Sequence, residues 1–129
     1  MIQINSRSSR PIFEQIQKGI KELIYKGALK KGDKLPSVRE LAIIITTNPN
    51  TISKAYKCLE QENIIITSVG KGTYINDGAK ELVTEGYIKG IKEDITTLIQ
   101  KAVKLNLTLE EIIEMENEVY VKVNGGIKC

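Results

Sequence analysis

Two helix-start patterns lie close together near the middle of the chain, and they limit its fold more than any other feature. Ser37-Val38-Arg39-Glu40 has the S-x-x-E form of a capping box, and Asn48-Pro49 joins an N-cap residue to a proline suited to the first helical position. Apolar residues follow each start at i, i+3, i+4 and i+7, the spacing of one buried helical face. They are Val38, Leu41, Ala42 and Ile45 in the first helix, and Ile52, Ala55, Tyr56 and Leu59 in the second.

The segment between these starts, residues 43–47, has strand propensity because it reads Ile-Ile-Ile-Thr-Thr. The capping box and the apolar stripe favour a short helix that ends near Ile45. Two short capped helices separated by three or four residues predict a helix-turn-helix, although the usual turn glycine is absent.

A strand, a glycine turn and a second strand follow the helix pair. Residues 64–67 and 73–75 are rich in β-branched and aromatic side chains, and Ser68-Val69-Gly70-Lys71-Gly72 separates them. A helix pair closed by a hairpin is a winged helix. The predicted fold class is therefore mainly α with a small β-hairpin, an N-terminal winged helix-turn-helix plus a C-terminal helical tail.

A further helix is predicted before the pair. Pro11 suits a first helical turn, Gly27 suits a left-handed C-cap, and residues 28–36 have the composition of a loop. The buried stripe of this helix is predicted to consist of Phe13, Ile16, Ile20, Leu23 and Ile24.

The pattern changes after Gly78. A heptad-like apolar seam predicts a long helix that Asn106 can cap, and the T-x-x-E box at Thr108 opens another helix. The last ten residues, with Gly125-Gly126, are expected to form a loose end. This change of pattern divides the chain into residues 1–78 and residues 79–129. The seam consists of Ile88, Ile91, Ile95, Leu98, Ala102 and Leu105, a pattern that can pair with a second helix.

Composition excludes most other classes of function. The 129 residues carry a net charge of +3, contain no histidine and have two cysteines, Cys58 and Cys129. The commonest general base and metal ligand is therefore missing, so we expect no enzyme, no metal and no cofactor. No apolar run is long enough for a membrane span and the N-terminus does not resemble a signal peptide, so a cytoplasmic protein without membrane partners is expected.

Charge is unevenly distributed. Residues 1–78 contain twelve Lys and Arg against seven Asp and Glu, a net of +5, whereas residues 79–129 contain seven against nine, a net of −2. This distribution fits a polyanion-facing head and a tail with another role, although a chance partition of surface charge would look the same.

Three groups of residues are candidates for contact with a nucleic acid. The open side of the second paired helix carries Asn50, Thr51, Ser53, Lys54 and Lys57, where small polar side chains near a helix N-terminus can reach phosphates and base edges. Arg39 can bind phosphate or guanine with two parallel hydrogen bonds, and its alternative is a salt bridge with a neighbouring acid. Lys71 lies at the hairpin tip. An ordinary solvated surface is the alternative for the helix face and for Lys71.

With these residues assembled, the stretch from Pro11 to Ile75 resembles the winged-helix domain of the GntR family of bacterial transcription regulators. The matching motifs include residues 11–16, 27–29, 32–42, 48–52 and 70–73. The short two-helix tail is similar to that of the YtrA subfamily. Two departures are Asn63, where the family commonly has glycine, and Thr46-Thr47, where a Gly-apolar pair is usual.

The resemblance implies a regulator, most often a repressor, encoded near a transporter operon. We therefore expect residues 1–78 to bind DNA and residues 79–129 to form a homodimer through the seam from Ile88 to Leu105, whose residues are the expected dimerisation residues. The DNA contacts that the resemblance implies are Arg39, Asn48, Asn50, Thr51, Ser53, Lys54, Gly70 and Lys71. We therefore expect a sequence-specific repressor that binds an inverted-repeat DNA operator as a homodimer. The alternative is a winged helix that serves as a protein-interaction module. The sequence does not indicate a small-molecule effector.

Overall fold

The N-terminal half contains three helices in the computed structural model, which describes residues 2–126. They are α1 (Ile12–Tyr25), α2 (Val38–Ile44) and α3 (Pro49–Gln61). Ser37 and Glu40 form the complete capping box of α2, and the Asn48 side chain caps α3 with Pro49 at its first position. The helix-turn-helix and both predicted starts are confirmed.

The core of the N-terminal half lies where α3 packs against α1 and α2. Ile16, Ile20 and Ile24 line the buried side of α1, at spacings of four residues. The whole predicted stripe of α3 is buried, with Ile52, Ala55 and Leu59 fully inaccessible to solvent. The periodic spacing of apolar residues in the sequence therefore located this interface correctly. Burial of one apolar face of each helix is what stabilises a fold of this size.

A three-stranded antiparallel sheet closes this core, with strand order β1-β3-β2. The predicted hairpin is confirmed as β2 (Ile65–Ser68) and β3 (Gly72–Ile75), paired from Ile65 with Ile75 to Ser68 with Gly72. The third strand, β1 (Lys34–Leu35), lies within the segment expected to be only a loop. Two residues are too few to show the alternation that predicts a strand, so only pairing with β3 reveals it.

Three helices end on a left-handed residue that is not glycine: Thr46, Asn63 and Asn106, with φ of 51°, 63° and 60°. In each case the next amide donates to a carbonyl five residues back, the pattern of a Schellman cap. Asparagine tolerates this conformation well, but a β-branched threonine does not. The departure from glycine at position 46 has therefore kept the turn geometry while adding backbone strain.

The C-terminal part contains α4 (Ala79–Lys104) and α5 (Leu109–Gly126). Thr108 and Glu111 exchange hydrogen bonds of 3.0 and 3.2 Å, so the predicted second capping box is confirmed. The expectation of a loose end over the last ten residues is wrong up to Gly126, because an initiated helix gains one hydrogen bond for each added residue. Cys129 lies outside the described residues.

The chain divides into two compact units, Met1–Tyr87 and Ile88–Cys129. We call the first the head and the second the tail. The first turns of α4 belong to the head, since Ala79 and Val83 are buried in its core and the Tyr87 ring packs edge-on against that of Tyr25, with centroids 5.3 Å apart. The sequence-based division instead ended the DNA-binding part at Gly78.

Replacement of Thr46 by glycine should stabilise the protein. Glycine adopts the φ of 51° without a Cβ penalty, and this relief exceeds the entropy cost of a more flexible unfolded chain. We expect Thr46→Gly to raise the free energy of unfolding by about 0.5–1 kcal/mol in urea denaturation. Thr47→Gly is the matched control and should destabilise, because Thr47 is not left-handed and its hydroxyl donates to the Ile45 carbonyl. An equal loss in both variants would contradict strain at Thr46.

Candidate nucleic-acid interface

The N-terminus of α3 uses its own backbone amides internally. Asn48 Oδ1 accepts from the Asn50 amide at 2.8 Å, and the Asn48 carbonyl accepts from the amides of Thr51 and Ile52 at 3.0 and 3.4 Å. Pro49 has no amide hydrogen to donate. Contacts from this end of α3 to a nucleic acid must therefore come from side chains, including the Asn48 amide nitrogen that capping leaves unused.

One face of α3 is open to solvent. Asn50, Ser53, Lys54 and Lys57 are exposed at i, i+3, i+4 and i+7, opposite the buried stripe, and Thr51 is half-buried at its edge. These side chains combine amide, hydroxyl and ammonium groups, which can bind both phosphates and base edges. The geometry is that of a recognition helix whose N-terminal half can enter a major groove.

Lys54 is positioned by a contact that sequence reasoning missed. Its ammonium nitrogen lies 4.0 Å from the centre of the Phe13 ring on α1. Such a cation–π contact contributes about 0.5–1 kcal/mol at an exposed site. The sequence assigned Phe13 only to the core stripe, and its half-buried position is visible only once α1 and α3 are packed. Phe13 therefore restricts where the Lys54 charge can lie.

Arg39 is exposed in the first turn of α2. The neighbouring carboxylate of Glu40 is held by Ser37, and the hydrogen bond from the Ser37 amide is the main cause of the lowered pKa of Glu40. Among residues 2–126 the one ion pair joins Lys21 to Glu62, so the salt bridge considered for Arg39 does not form there. Its guanidinium is available for a phosphate or a base.

The hairpin of β2 and β3, the wing, presents Gly70 and Lys71 at an exposed tip. The Lys71 amide donates to Ser68 at 2.9 Å, and the Tyr74 hydroxyl donates to the Lys71 carbonyl at 2.9 Å. Gly70 adopts a φ of 78°, which the tight turn requires and which glycine supplies at no steric cost. The backbone that carries the Lys71 charge is thereby fixed from both sides.

A buried tyrosine joins the two halves of the helix-turn-helix. The Tyr56 hydroxyl on α3 donates to the Pro36 carbonyl, just before α2, at 2.7 Å. Burial raises the pKa of Tyr56 to about 12, with a smaller contribution from the negative charge of Glu40. This bond sets the start of α2, and hence Arg39, relative to α3. The sequence placed Tyr56 in the core but gave no indication of its hydroxyl's partner.

The eight residues expected to contact DNA therefore all lie in the head.

The dimerisation residues expected from the sequence lie in the tail and differ in their exposure to solvent. Ala102 is buried within its own chain, at 7% exposure, as is Ile112 of α5. The other five expose about half or more of their surface: Ile88, Ile91, Ile95, Leu98 and Leu105.

The described residues contain neither a metal-binding cluster nor a membrane-spanning helix. No cluster of three or more His, Cys, Asp or Glu side chains there is arranged to hold a metal ion. Within residues 2–126, no helix is both long enough and apolar enough to cross a membrane.

A recognition helix, an exposed arginine on the preceding helix and a basic wing in one head define a winged helix-turn-helix DNA-binding protein. The family model of the bacterial regulatory proteins of the gntR family matches residues 12–75. The chain is 54% identical over 128 residues to the HTH-type transcriptional repressor YtrA of Bacillus subtilis (strain 168), covering 99% of this chain and 98% of that relative. The chain belongs to the GntR family and is a DNA-binding transcription regulator.

Solved structures share this architecture. A transcriptional regulator from Oenococcus oeni aligns with a TM-score of 0.75 and 31% identity, covering 92% of this chain and 98% of that one. YtrA from Sulfolobus acidocaldarius, a GntR-family transcription factor, aligns with a TM-score of 0.54 and 36% identity over 95% and 99% of the two chains. Both likenesses extend beyond the winged helix into the tail.

Removal of the Tyr56 hydroxyl should destabilise the head in a pH-dependent way. At neutral pH we expect Tyr56→Phe to lower the free energy of unfolding by about 1 kcal/mol, because the bond to Pro36 is lost. Between pH about 10 and about 12 the unfolded chain loses the tyrosine proton while the folded chain keeps it, so wild-type stability falls. The difference between the two proteins should therefore shrink in urea denaturation across this range.

Tyr120→Phe is the matched control for this experiment, because Tyr120 is 69% exposed in the tail. Its stability should stay within about 0.5 kcal/mol of wild type at neutral pH. A Tyr56→Phe variant whose difference from wild type stayed constant up to pH 12 would contradict a buried, proton-donating hydroxyl.

Proposed function

We propose that this chain represses transcription by binding an inverted-repeat DNA operator as a homodimer. The observation that carries the proposal is the open polar face of α3, which the head presents beside Arg39 and the Lys71 wing. Support for repression comes from the name of the Bacillus subtilis relative, a transcriptional repressor that matches almost the whole chain. Control of a transporter operon stays a prediction from the family resemblance.

Within the head, different residues serve different parts of recognition. Arg39 and the edge formed by Asn50, Thr51 and Ser53 read bases, because their side chains can form paired or directed hydrogen bonds with base edges. Lys54, Lys71 and the backbone at Gly70 contact phosphates, which fix the position of the head on the duplex. Asn48 contributes its side-chain amide while its oxygen caps α3.

The tail is the part of the chain that pairs with a second copy. Four large apolar residues of α4, Ile88, Ile91, Ile95 and Leu98, recur at three- and four-residue spacing and are exposed in the single chain. Leu105, just after the end of α4, is exposed as well, and the exposed fractions range from 50% at Ile95 to 74% at Leu105. Monomeric proteins rarely leave so continuous an apolar stripe in water. A second α4 with the same stripe covers it, and the resulting two-fold axis explains an operator with two half-sites about one helical turn, or a multiple, apart.

Charge is consistent with this arrangement. Residues 1–78 of each copy contribute a net +5, so a dimer directs about +10 towards the duplex, while residues 79–129 of each copy carry −2. The protein acts as a binding module, without enzymatic activity and without a cofactor. It works in the cytoplasm, where bacterial DNA lies.

Arg39 provides the test of sequence-specific binding. The protein should bind a duplex from upstream of its own gene in gel shift and footprinting, in preference to unrelated DNA. Arg39→Ala should cost about 1–3 kcal/mol per half-site on the operator, with little change on unrelated DNA. Arg39→Lys keeps the charge but loses the planar fork, so it should also lose discrimination.

Equal binding of wild-type protein to both duplexes would refute a sequence-specific regulator and favour the interaction module. If both Arg39 variants still preferred the upstream duplex to unrelated DNA as strongly as wild type does, base reading by Arg39 would be refuted.

Ile95→Glu tests the dimer. A charge in the middle of the exposed stripe opposes its counterpart in the second copy, so sedimentation equilibrium should show monomers where the wild type forms dimers. Thr96→Glu, one position away and off the stripe, is the matched control and should stay dimeric. Circular dichroism should show both variants equally helical, since neither side chain is buried within its own chain. A dimeric Ile95→Glu protein would refute this seam.

A further inference from the structure

The segment before α1 is a loop that a single side chain holds closed. The Gln15 amide nitrogen donates to the carbonyls of Asn5 and Arg10, both at 2.9 Å, and its oxygen accepts from the Asn5 amide at 2.8 Å. One side chain thus bonds to both ends of the loop. Residues 5–10 are fixed to the first turn of α1, and we call them the arginine loop.

Bonds inside the arginine loop define its shape. Asn5 accepts from the Ser8 amide through its carbonyl at 3.2 Å and from the Arg7 amide through its side chain at 3.0 Å. The Ser8 hydroxyl accepts from the Arg10 amide at 3.1 Å. A loop with this many local bonds presents its side chains from a defined backbone, which an extended arm would not do.

The loop carries an unusual share of one residue type. The chain contains three arginines, and two of them, Arg7 and Arg10, are here. Both are exposed, and within the described residues neither guanidinium forms an ion pair or a hydrogen bond. Arginine offers a planar fork that binds phosphate oxygens in pairs, whereas the lysines, which supply sixteen of the nineteen positively charged side chains, cannot.

Two contacts establish which end of the head carries the arginine loop. Phe13 of α1 meets Lys54 of α3, and Lys21 of α1 bonds to Glu62 at the end of α3 at 3.0 Å. In both contacts the second residue follows the first by 41 positions. A later residue of α1 therefore meets a later residue of the α3 segment, so the two helices run in the same general direction. Residues that precede α1 therefore lie at the end of the head where α3 begins, which is the end assigned to DNA.

We propose that Arg7 and Arg10 bind DNA phosphates beside the groove that α3 enters, and that Gln15 is the positioning residue that holds them ready. This inference rests on the proposed function and adds a second basic surface to it. The closed loop differs from the N-terminal arms that reach into a minor groove, so the phosphate backbone is the favoured contact. Each dimer gains four arginines in this way.

The test compares Arg7→Gln/Arg10→Gln with wild type in the full chain. Affinities for the upstream duplex and for unrelated DNA are measured by fluorescence anisotropy at 50 and 200 mM salt. Loss of four phosphate contacts per dimer makes the salt dependence shallower, so wild type should lose about 100-fold more affinity than the variant over this range. Lys101→Gln/Lys104→Gln removes the same charge from exposed tail positions and should keep the wild-type salt slope.

Gln15→Leu tests positioning separately, because it removes the clamp and keeps both charges. It should lower affinity several-fold on both duplexes with the salt slope unchanged, since the arginines still bind but must first be ordered. Affinity equal to wild type would overturn the role of Gln15. Thermal unfolding of the three variants verifies that the head remains folded.

Two failures are distinguishable. If wild type does not prefer its upstream duplex, the proposed function fails with this inference. If wild type discriminates but the double arginine variant keeps its salt slope, only the arginine loop is overturned. A loss restricted to the upstream duplex would assign base reading to these arginines and would also overturn the phosphate contact proposed here.

Discussion

The packing of α3 controls the rest of the head. Its buried stripe fills the space between α1 and α2, and the Tyr56 hydroxyl bonds to the segment before α2. Because a helix has only one side to bury in so small a core, the opposite side is left for another molecule. The side chains on that open side are polar and basic, and Phe13 restricts the position of Lys54 among them. The helical period thus separates the residues that stabilise the core from those proposed to recognise DNA.

The head and the tail are both built from helices with apolar stripes, but only the head buries most of these stripes within one chain. Among the described residues of the head, four large apolar side chains expose more than half of their surface: Ile43, Ile44, Ile66 and Val69. The tail leaves most of its apolar residues on α4 and α5 exposed. This exposed apolar surface supports the proposed homodimer, in which two copies would give DNA binding its two-fold symmetry.

Strain and caps show how the sequence tolerates departures from its family pattern. Asn63, where the family commonly has glycine, takes a left-handed conformation at little cost, because asparagine adopts it readily, as Asn106 also does. Thr46 is a costlier substitute, but its amide and the next one still complete the cap of α2. Bonds made by the backbone preserve the turn even though the side chain opposes it, so the helix-turn-helix does not depend on glycine.

The sequence by itself determined the helix starts, the buried stripes, the hairpin and the family, because caps, periodicity and glycine turns are local signals that act within a few residues. It also indicated the polar face of α3 and the seam of α4. Only the tertiary structure decided which separate segments contact each other. These contacts are the pairing of β1 with β3, the Lys54 ammonium over the Phe13 ring, the hydrogen bond from Tyr56 to Pro36, and the Gln15 clamp on the loop that carries Arg7 and Arg10. Such contacts leave no periodic pattern in the chain, since each depends on how whole helices pack.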